Sequence, residues 1–524
     1  MKIVLISPHG SLIAHGLRLL GACLQEAGHT IRFIFLPLPE EIEPLPGQVS
    51  PLRYETPVQN RIVELCEDAG LVGITCATTH FPRLAELSDL LRRNLHIPVI
   101  WGGIHPTVSP RECLDHADWI CRGEGEETLV EFAEALSSSR DPRTIPNLGY
   151  LEGDKTLVLN PLRPLLQDLD VLPFPLYSET GHYILHHRRV VPLTSGLACW
   201  YLSDGYGFGQ GSAYHVWATR GCPHRCAYCC NSFYSGLYPE WNRVRRQSNS
   251  RIIAEIYAMR RQMPWIDRVA FMDDTFFAAP AEVLEDFSAL YRREIGLPFF
   301  ACASPSTLDA RRLDALTSAG LRFVWVGMQS GSLRIQRLYQ RHNHPDRLVF
   351  AADLLSSYRD TLHPPVFDFI IDPTFQNAED QRLTLKLLER LAYPFQLALY
   401  SMTFFPGTEI SKMAGFSSTH AGSGHEKNMV HLERTFYRAA LWAHGRNLPK
   451  SWLRLLSKKL IYKILAGKIF IPVWWLLGFW LEKRDNRQLV TWTTTHRRKV
   501  VMTHFPDQDW RELAGDLFGG QVTD

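Results

Sequence analysis

Twice along this chain of 524 residues, short apolar runs alternate with helical patterns. That alternation is what a parallel sheet covered by crossover helices requires, so the fold class is α/β. The first series occupies residues 1–140, with strands expected at Lys2–Ser7, Ile31–Leu36, Leu71–Cys76, Pro98–Gly102 and Trp119–Cys121. Between the first two, Leu17, Leu20, Leu24 and Ala27 mark one face of a helix, which Gly28 ends. Residues 141–210 are rich in Pro, Gly and aromatics and read as an irregular connector. The second series runs over 211–425, with strands expected at His215–Thr219, Arg268–Met272, Phe299–Ala303, Phe323–Gly327, Val366–Ile371 and Gln396–Thr403. Six rounds are too few for a closed eight-fold barrel and fit a partial, TIM-like (β/α)6 one. Residues 426–524 form a mainly helical C-terminal region. The four segments are taken as domain 1–140, connector 141–210, core 211–425 and helical region 426–524.

The stretch 219–231, Thr-Arg-Gly-Cys-Pro-His-Arg-Cys-Ala-Tyr-Cys-Cys-Asn, carries the chemistry. Thiolates of Cys222, Cys226 and Cys229, at Cys-x-x-x-Cys-x-x-Cys spacing, can hold three irons of a four-iron cluster. The fourth iron is then open to a substrate or cofactor, whereas electron-transfer clusters ordinarily take four cysteines. A zinc site is the competing assignment. Zinc closes with four ligands in paired knuckles, no second knuckle follows, and His224 inside the loop would strain a tetrahedron. Cys230 reads as a spare thiol. Eleven cysteines in all are too sparse for a disulfide scaffold, so a reducing compartment, the cytoplasm, is expected. Met1–Pro8 runs straight into a strand and lacks the apolar core of a signal peptide. A net charge of +2 gives no reason to expect nucleic acid.

With Tyr228 one position before the last cysteine, the loop resembles that of the radical S-adenosylmethionine (SAM) enzymes. Upstream, glycine-bearing loops end three strands of residues 1–140: Ser7–Ser11, Trp101–Pro106 and Arg122–Glu126. Glycines let a backbone approach a large or phosphate-bearing ligand. No Gly-x-Gly-x-x-Gly opens the first helix, which argues against NAD. The set resembles the Rossmann-like cobalamin-binding domain that precedes the radical SAM domain in one large subfamily. Gly102–Pro106 and Gly123–Glu126 match its recurrent Gly-Gly-x-His-Pro and Gly-Glu-Gly-Glu segments, and Thr75–His80 sits where that family binds the nucleotide tail. The resemblance, spanning about residues 1–425, implies cobalamin contacts from Ser7, His9, Thr75, Thr78, Thr79, Gly102, Gly103, His105, Gly123, Glu124, Gly125 and Glu126. One departure matters. Many cobalamin proteins carry Asp-x-His-x-x-Gly in the first loop, but here Ser7 and Leu12 flank His9 in the places of Asp and Gly. His9, His15, His80 and His105 therefore read as loop hydrogen-bonding groups, with cobalt left without a protein histidine.

In the core, Phe271-Met272-Asp273-Asp274-Thr275-Phe276 stands where many members have Gly-Gly-Glu, and its carboxylates can accept from the SAM ammonium. A solvated turn or an N-cap is the bland role for one of the two. Gly327–Ser332 resembles the family's Gly-x-Glu-Ser-Gly-Ser with Gln329 for Glu, so Gln329 and Ser330 are expected near the ribose. Arg341 matches an arginine that meets the SAM carboxylate, a surface ion pair being its alternative. Ile371-Asp372-Pro373 replaces a common Gly-x-Pro, and Phe405–Thr408 closes the sixth strand as Tyr-Pro-Gly-Thr does. The resemblance implies a [4Fe–4S] cluster, SAM and cobalamin as cofactors, and an external electron donor of flavodoxin or ferredoxin type. It implies reductive SAM cleavage to a 5′-deoxyadenosyl radical, and in most cases methylation of an unactivated carbon of a small-molecule or lipid-like substrate. A non-methylating oxidative cyclase or rearrangement enzyme is the alternative; a corrinoid carrier or sensor is the alternative outside catalysis.

Residues Ser451–Lys468 read as one amphipathic helix, with Leu453, Leu456, Leu460 and Ile464 on one side and Lys458, Lys459 and Lys463 elsewhere. Ile469–Leu481 follows, uncharged but holding Pro472 and shorter than the roughly 20 residues a spanning helix needs. Its aromatics Trp474, Trp475, Phe479 and Trp480 are expected to cap the core and line a cavity. Peripheral membrane contact through 451–481 is the second reading.

Overall fold

The computed structural model describes residues 1–9, 12–37, 53–178, 180–203, 212–372, 374–415, 436–446, 449–470, 472–474, 476–477 and 496–507. The chain divides into two compact units, Met1–Asp204 with 417–422 and 490–524, and Gly205–Phe416 with 423–489.

The first unit is built on a nine-stranded sheet of β1 (Lys2–Ser7), β2 (Thr30–Phe35), β3 (Leu71–Thr75), β4 (Val99–Gly102), β5 (Trp119–Cys121), β6 (Leu148–Glu152), β7 (Thr156–Leu159), β8 (Tyr183–His186) and β9 (Arg189–Pro192), in the order β7-β6-β5-β4-β3-β1-β2-β8-β9. Strands β1 to β5 are parallel; the helices His15–Glu26, Thr56–Cys66 and Phe81–Asn94 and the short pair Ile104–Val108 and Pro110–Leu114 separate them in sequence, and Glu126–Ser137 follows β5. Their order 5-4-3-1-2 reverses between β1 and β3. Ligands of doubly wound sheets bind at the carboxyl ends beside such a reversal. Val4, Ile6, Val72, Ile74 and Trp101 are buried in the sheet's core, and Gly28 ends the first helix with φ +84° as expected.

The segment 141–210 is not irregular. It supplies β6 to β9, as two antiparallel hairpins on opposite edges of the sheet, and the helix Ser195–Leu202. The β8–β9 hairpin closes through His187 and Arg188 at φ +45° and +63°. A two-residue turn of that type normally shows Gly or Asn, so its sequence carries no turn signal.

The second unit holds six parallel strands in sequential order: β10 (Ala213–Val216), β13 (Arg268–Phe271), β14 (Phe299–Ala303), β15 (Leu321–Gln329), β16 (Val366–Ile371) and β17 (Gln396–Ser401). The expected first strand stops early. After Val216 the chain leaves the sheet, and β11 (Thr219–Arg220) pairs instead with β12 (Arg245–Arg246).

The tail departs further from expectation. Two short helices, Lys450–Leu456 and Lys459–Leu465, replace the single one. Leu453 and Tyr462 are buried, but Trp452 is 68% exposed, Leu460 71% and Ile469 83%. Capping therefore does not extend to Trp452, Leu460 or Ile469, whereas Trp474 is half-buried and packs on Phe436 with ring centroids 5.2 Å apart; Trp475, Phe479 and Trp480 lie outside the described residues. Among the described residues no helix is long and apolar enough to cross a membrane.

Candidate active site

Between β11 and the helix Cys230–Leu237 the backbone has no regular structure, so neighbours must hold the cysteine loop. Ala227 N donates to Tyr339 O (3.0 Å), and Ile410 N donates to Ala227 O (2.9 Å). Asn242 Nδ2 donates to Cys222 O at 2.9 Å. Gly221 enters at φ +88°, where a Cβ would lie 2.5 Å from Trp241 O. Cys222 and Cys226 are buried, and Cys229 caps the following helix.

Each of the three sulfurs meets donors. Cys226 Sγ accepts from Arg341 Nη1 at 3.5 Å, and the Tyr228 hydroxyl bonds it as well. Cys229 Sγ accepts from Asn231 Nδ2 at 3.5 Å, and the His224 backbone serves Cys222. N–H groups aimed at sulfur stabilise the negative charge of a thiolate-bound iron–sulfur cluster and tune its potential. The donor set therefore fits the cluster. Burial, with Arg341 assisting, also pushes His224 down to about 4, so its ring is neutral beside the loop.

Arg341 ties the loop to the sheet, because its Nη2 donates to Gly327 O at 2.9 Å. A larger residue at 327 would displace the ends of the Gln329 and Arg341 side chains. A Cβ there would lie 2.7 Å from Gln329 Nε2 and 3.0 Å from Arg341 Nη2. Strand β15 slips register between Gly327 and Gln329, and Gln329 turns left-handed at φ +67°. The buried Gln336 holds that bulge, its Nε2 donating to Met328 O (2.7 Å) and Ser330 O (2.6 Å). Arg341 is thus a bridge between loop and sheet, not a surface ion pair.

The two carboxylates after β13 part ways. Asp273 is buried and accepts from Thr219 N and Thr219 Oγ1, both at 2.5 Å, while burial pushes it up to about 6. It joins the start of the cysteine loop to the β13 end, a structural role. Asp274 is exposed, accepts from Asn231 Nδ2 at 2.7 Å and acts electrostatically on Cys222 and Cys229. Ser330 is buried, with its hydroxyl 3.3 Å from Thr384 Oγ1 and accepting from Ser332 N. Those bonds lock the loop after β15 to the helix Ala378–Arg390, so Ser330 shapes the rim from behind.

Sequence reasoning missed Gln336, Asn231 and Asp368. Asp368 pairs with Gly327 in the β15–β16 register and accepts from Trp325 Nε1. Burial raises its carboxyl to about 7, against which Trp325 and then Arg341 pull down. An apolar strand offers no signal for it except one acid in Val-Phe-Asp-Phe-Ile-Ile. Its folded pKa lies above the ordinary 3.8, so the folded state holds the extra proton between about pH 4 and 7 and loses stability as pH rises through that window. The melting temperature of Asp368→Asn relative to the parent is expected to rise between about pH 4 and about pH 7 and to level off above, in paired thermal scans. A constant offset across the range would show that Asp368 does not titrate there.

In the first unit, the expected cofactor residues gather at the carboxyl ends of β1, β3, β4 and β5. Cys76 N donates to Gly102 O (2.8 Å) and His105 N to Cys76 O (3.1 Å), which seals the β3 and β4 loops together. Gly103 sits at φ +100°, and a Cβ there would lie 3.0 Å from Cys76 O and 3.2 Å from Thr75 Oγ1. A Cβ at Gly102 would meet nothing within 4 Å, so the chain leaves open space there for a ligand. Thr107 Oγ1 accepts from Gly123 N at 3.2 Å and donates to Gly103 O at 2.8 Å, which joins the β5 loop. Glu124 Oε2 accepts from Leu166 N at 3.0 Å, Gly125 precedes the helix that Glu126 opens, and Thr79 is exposed. The open backbone at Gly102, beside loops joined to one another, suits the close approach of a large cofactor.

His105 is fully buried, with Nδ1 3.2 Å from Thr78 Oγ1 and Nε2 3.5 Å from Glu112 Oε2. His9 stacks edge-on against His80 at 4.9 Å between ring centroids, and burial with the Arg83 charge lowers its pKa. Ser7 is buried, and its Oγ accepts from His9 N at 3.4 Å; Gly10 and Ser11 lie outside the described residues.

Residues 1–133 match the B12 binding domain family, and residues 218–388 match the Radical SAM superfamily. The chain is a radical SAM enzyme with the architecture of the cobalamin-binding subfamily, a B12-binding domain followed by a radical SAM domain. Its cofactors are a [4Fe–4S] cluster, SAM and cobalamin. Among curated proteins it is 28% identical to an uncharacterized methyltransferase of Pyrococcus horikoshii, over 66% of this chain and 70% of that one. It is 26% identical to the anaerobic magnesium-protoporphyrin IX monomethyl ester cyclase of Synechocystis, over 48% of this chain but only 44% of the cyclase. In fold it is similar to the radical SAM methyltransferase TsrM of Kitasatospora setae, solved with cobalamin and a [4Fe–4S] cluster. The TM-score is 0.63 at 16% identity, covering 93% of this chain and 99% of that one.

Proposed function

We propose that this enzyme transfers a methyl group from SAM to an unactivated carbon of a small-molecule or lipid-like substrate. The observation that carries the reading is the pairing, in one chain, of a donor-lined three-cysteine loop with glycine loops joined at a sheet's switch point. When bound, the cluster supplies the electron that cleaves SAM, and cobalamin supplies a carrier for the methyl group. The chain's own residues bind and orient. Asp274 accepts from the SAM ammonium and Arg341 meets its carboxylate beside Cys226. Gln329, whose charge is neutral where the family has Glu, offers both a donor and an acceptor to the ribose. The backbone at Gly102, Gly103 and Gly123 approaches the corrinoid. Residues 1–140 supply the corrinoid loops, 141–210 complete the same sheet through β6 to β9, and 211–425 form the SAM core. A flavodoxin- or ferredoxin-type donor feeds electrons in a reducing compartment such as the cytoplasm, and 451–481 make peripheral membrane contact.

Anaerobically reconstituted protein given SAM and reductant is expected to form 5′-deoxyadenosine and S-adenosylhomocysteine together. The second product marks methyl donation. Formation of 5′-deoxyadenosine alone would favour a cyclase or rearrangement, and neither product would favour a carrier. The bound corrinoid is expected to show no nitrogen from a protein histidine in its paramagnetic resonance spectrum, because Ser7 and Leu12 replace the Asp and Gly that flank a ligating histidine in other cobalamin proteins. A resolved histidine coupling would refute that assignment.

A further inference from the structure

The apolar side chains of the tail face outward. Eight of the 17 exposed large hydrophobic residues among those described fall between Trp452 and Leu477. Leu453 and Tyr462 anchor the two short helices, Tyr462 by donating to Gln381 Oε1 at 2.6 Å and packing on Phe436 at 5.2 Å. Trp474 adds a third anchor, its Nε1 donating to Leu465 O at 2.7 Å. The rest of the segment presents Trp452, Leu455, Leu460, Ile464, Ile469 and Leu476 outward. Arg454, Lys458, Lys459 and Lys463 are exposed beside them. No Asp or Glu occurs between Glu433 and Glu482.

The charge decides what covers this face. Glu379 faces Lys459 from the helix Ala378–Arg390, but a second copy would still set one basic cluster against another, and like charges at a desolvated interface repel. An anionic bilayer complements both halves at once. Its headgroup phosphates take the basic side chains, and its acyl boundary takes the aliphatic and tryptophan ones. Resting on the membrane-contact reading of 451–481, and separate from the radical chemistry, we propose that residues 450–477 seat this protein on an anionic lipid surface. The apolar face enters the headgroup boundary while the lysines stay at phosphate level.

The test is flotation of the full-length reconstituted protein with phosphatidylcholine vesicles, with and without phosphatidylglycerol. The protein is expected to float with the anionic vesicles at low salt and to be released at high salt. Lys458→Gln, Lys459→Gln and Lys463→Gln combined should lower partition about tenfold or more. Leu460→Asp with Ile464→Asp should abolish it, and both variants should keep the parent melting temperature and SAM cleavage. If the aspartate variant fails to fold, the glutamine variant decides alone, since it changes only exposed side chains. No flotation at low salt, or equal flotation with neutral vesicles, overturns the proposal. So does a dimer in light scattering that Leu460→Asp disperses, which would make a second copy the occupant. Flotation that persists in protein unable to cleave SAM would leave the surface intact and count against the catalytic reading only.

Discussion

Replacing Cys222, Cys226 and Cys229 together by alanine is expected to remove about four irons per chain and to reduce SAM cleavage to background. The fold should survive. The loop is pinned through Ala227, Asn242 and Ile410, by bonds that no cysteine side chain makes. Cobalamin content should be unchanged, because its loops end β1, β3, β4 and β5 in the other unit. Iron and sulfide assay, visible absorption and 5′-deoxyadenosine formation check the three parts separately. A triple variant that keeps its iron would place the cluster elsewhere.

Arg341→Met is expected to raise the KM for SAM about ten- to a hundredfold, since bonds made by a charged donor are worth about 1.5–3 kcal/mol. The loss has two components. Cys226 Sγ and Gly327 O each lose a donor, at 3.5 and 2.9 Å. The guanidinium that would meet the SAM carboxylate is gone as well. Arg341→Lys should recover only part, because a single ammonium cannot span sulfur and carbonyl together in a fixed fork. Steady-state kinetics with iron content measured alongside distinguishes a binding defect from cluster loss. An unchanged KM with intact iron would reduce Arg341 to a structural bolt.

Much of this architecture was legible because buried parallel strands announce themselves as short apolar runs. Strands β1, β5, β14 and β16 begin and end where those runs do. The cysteine loop was legible from spacing alone. What was missed fell where the physics is nonlocal or the local signal atypical. His187 and Arg188 make a left-handed turn without glycine or asparagine, so the β8–β9 hairpin passed as a connector. Asp273 and Asp274 are neighbours of one kind in sequence, and only tertiary placement gives one to Thr219 and leaves the other open. Gln336 looks like any polar helix residue until its amide is seen holding two carbonyls of a bulge. The tail misled for the opposite reason. Its aromatic and aliphatic content suggested burial, yet among its described residues Leu453 and Tyr462 are buried and Trp474 packs on Phe436 while eight large apolar side chains stay exposed.

The nine strands of the first sheet have a consequence for biosynthesis. All of them come from Lys2–Pro192, before the first strand of the second sheet begins at Ala213. Parallel sheets form slowly and expose sticky edges while incomplete. Here both outer edges are finished by antiparallel hairpins encoded immediately after the parallel strands. A nascent chain can therefore close its corrinoid-binding sheet on the ribosome while the cluster loop is still untranslated.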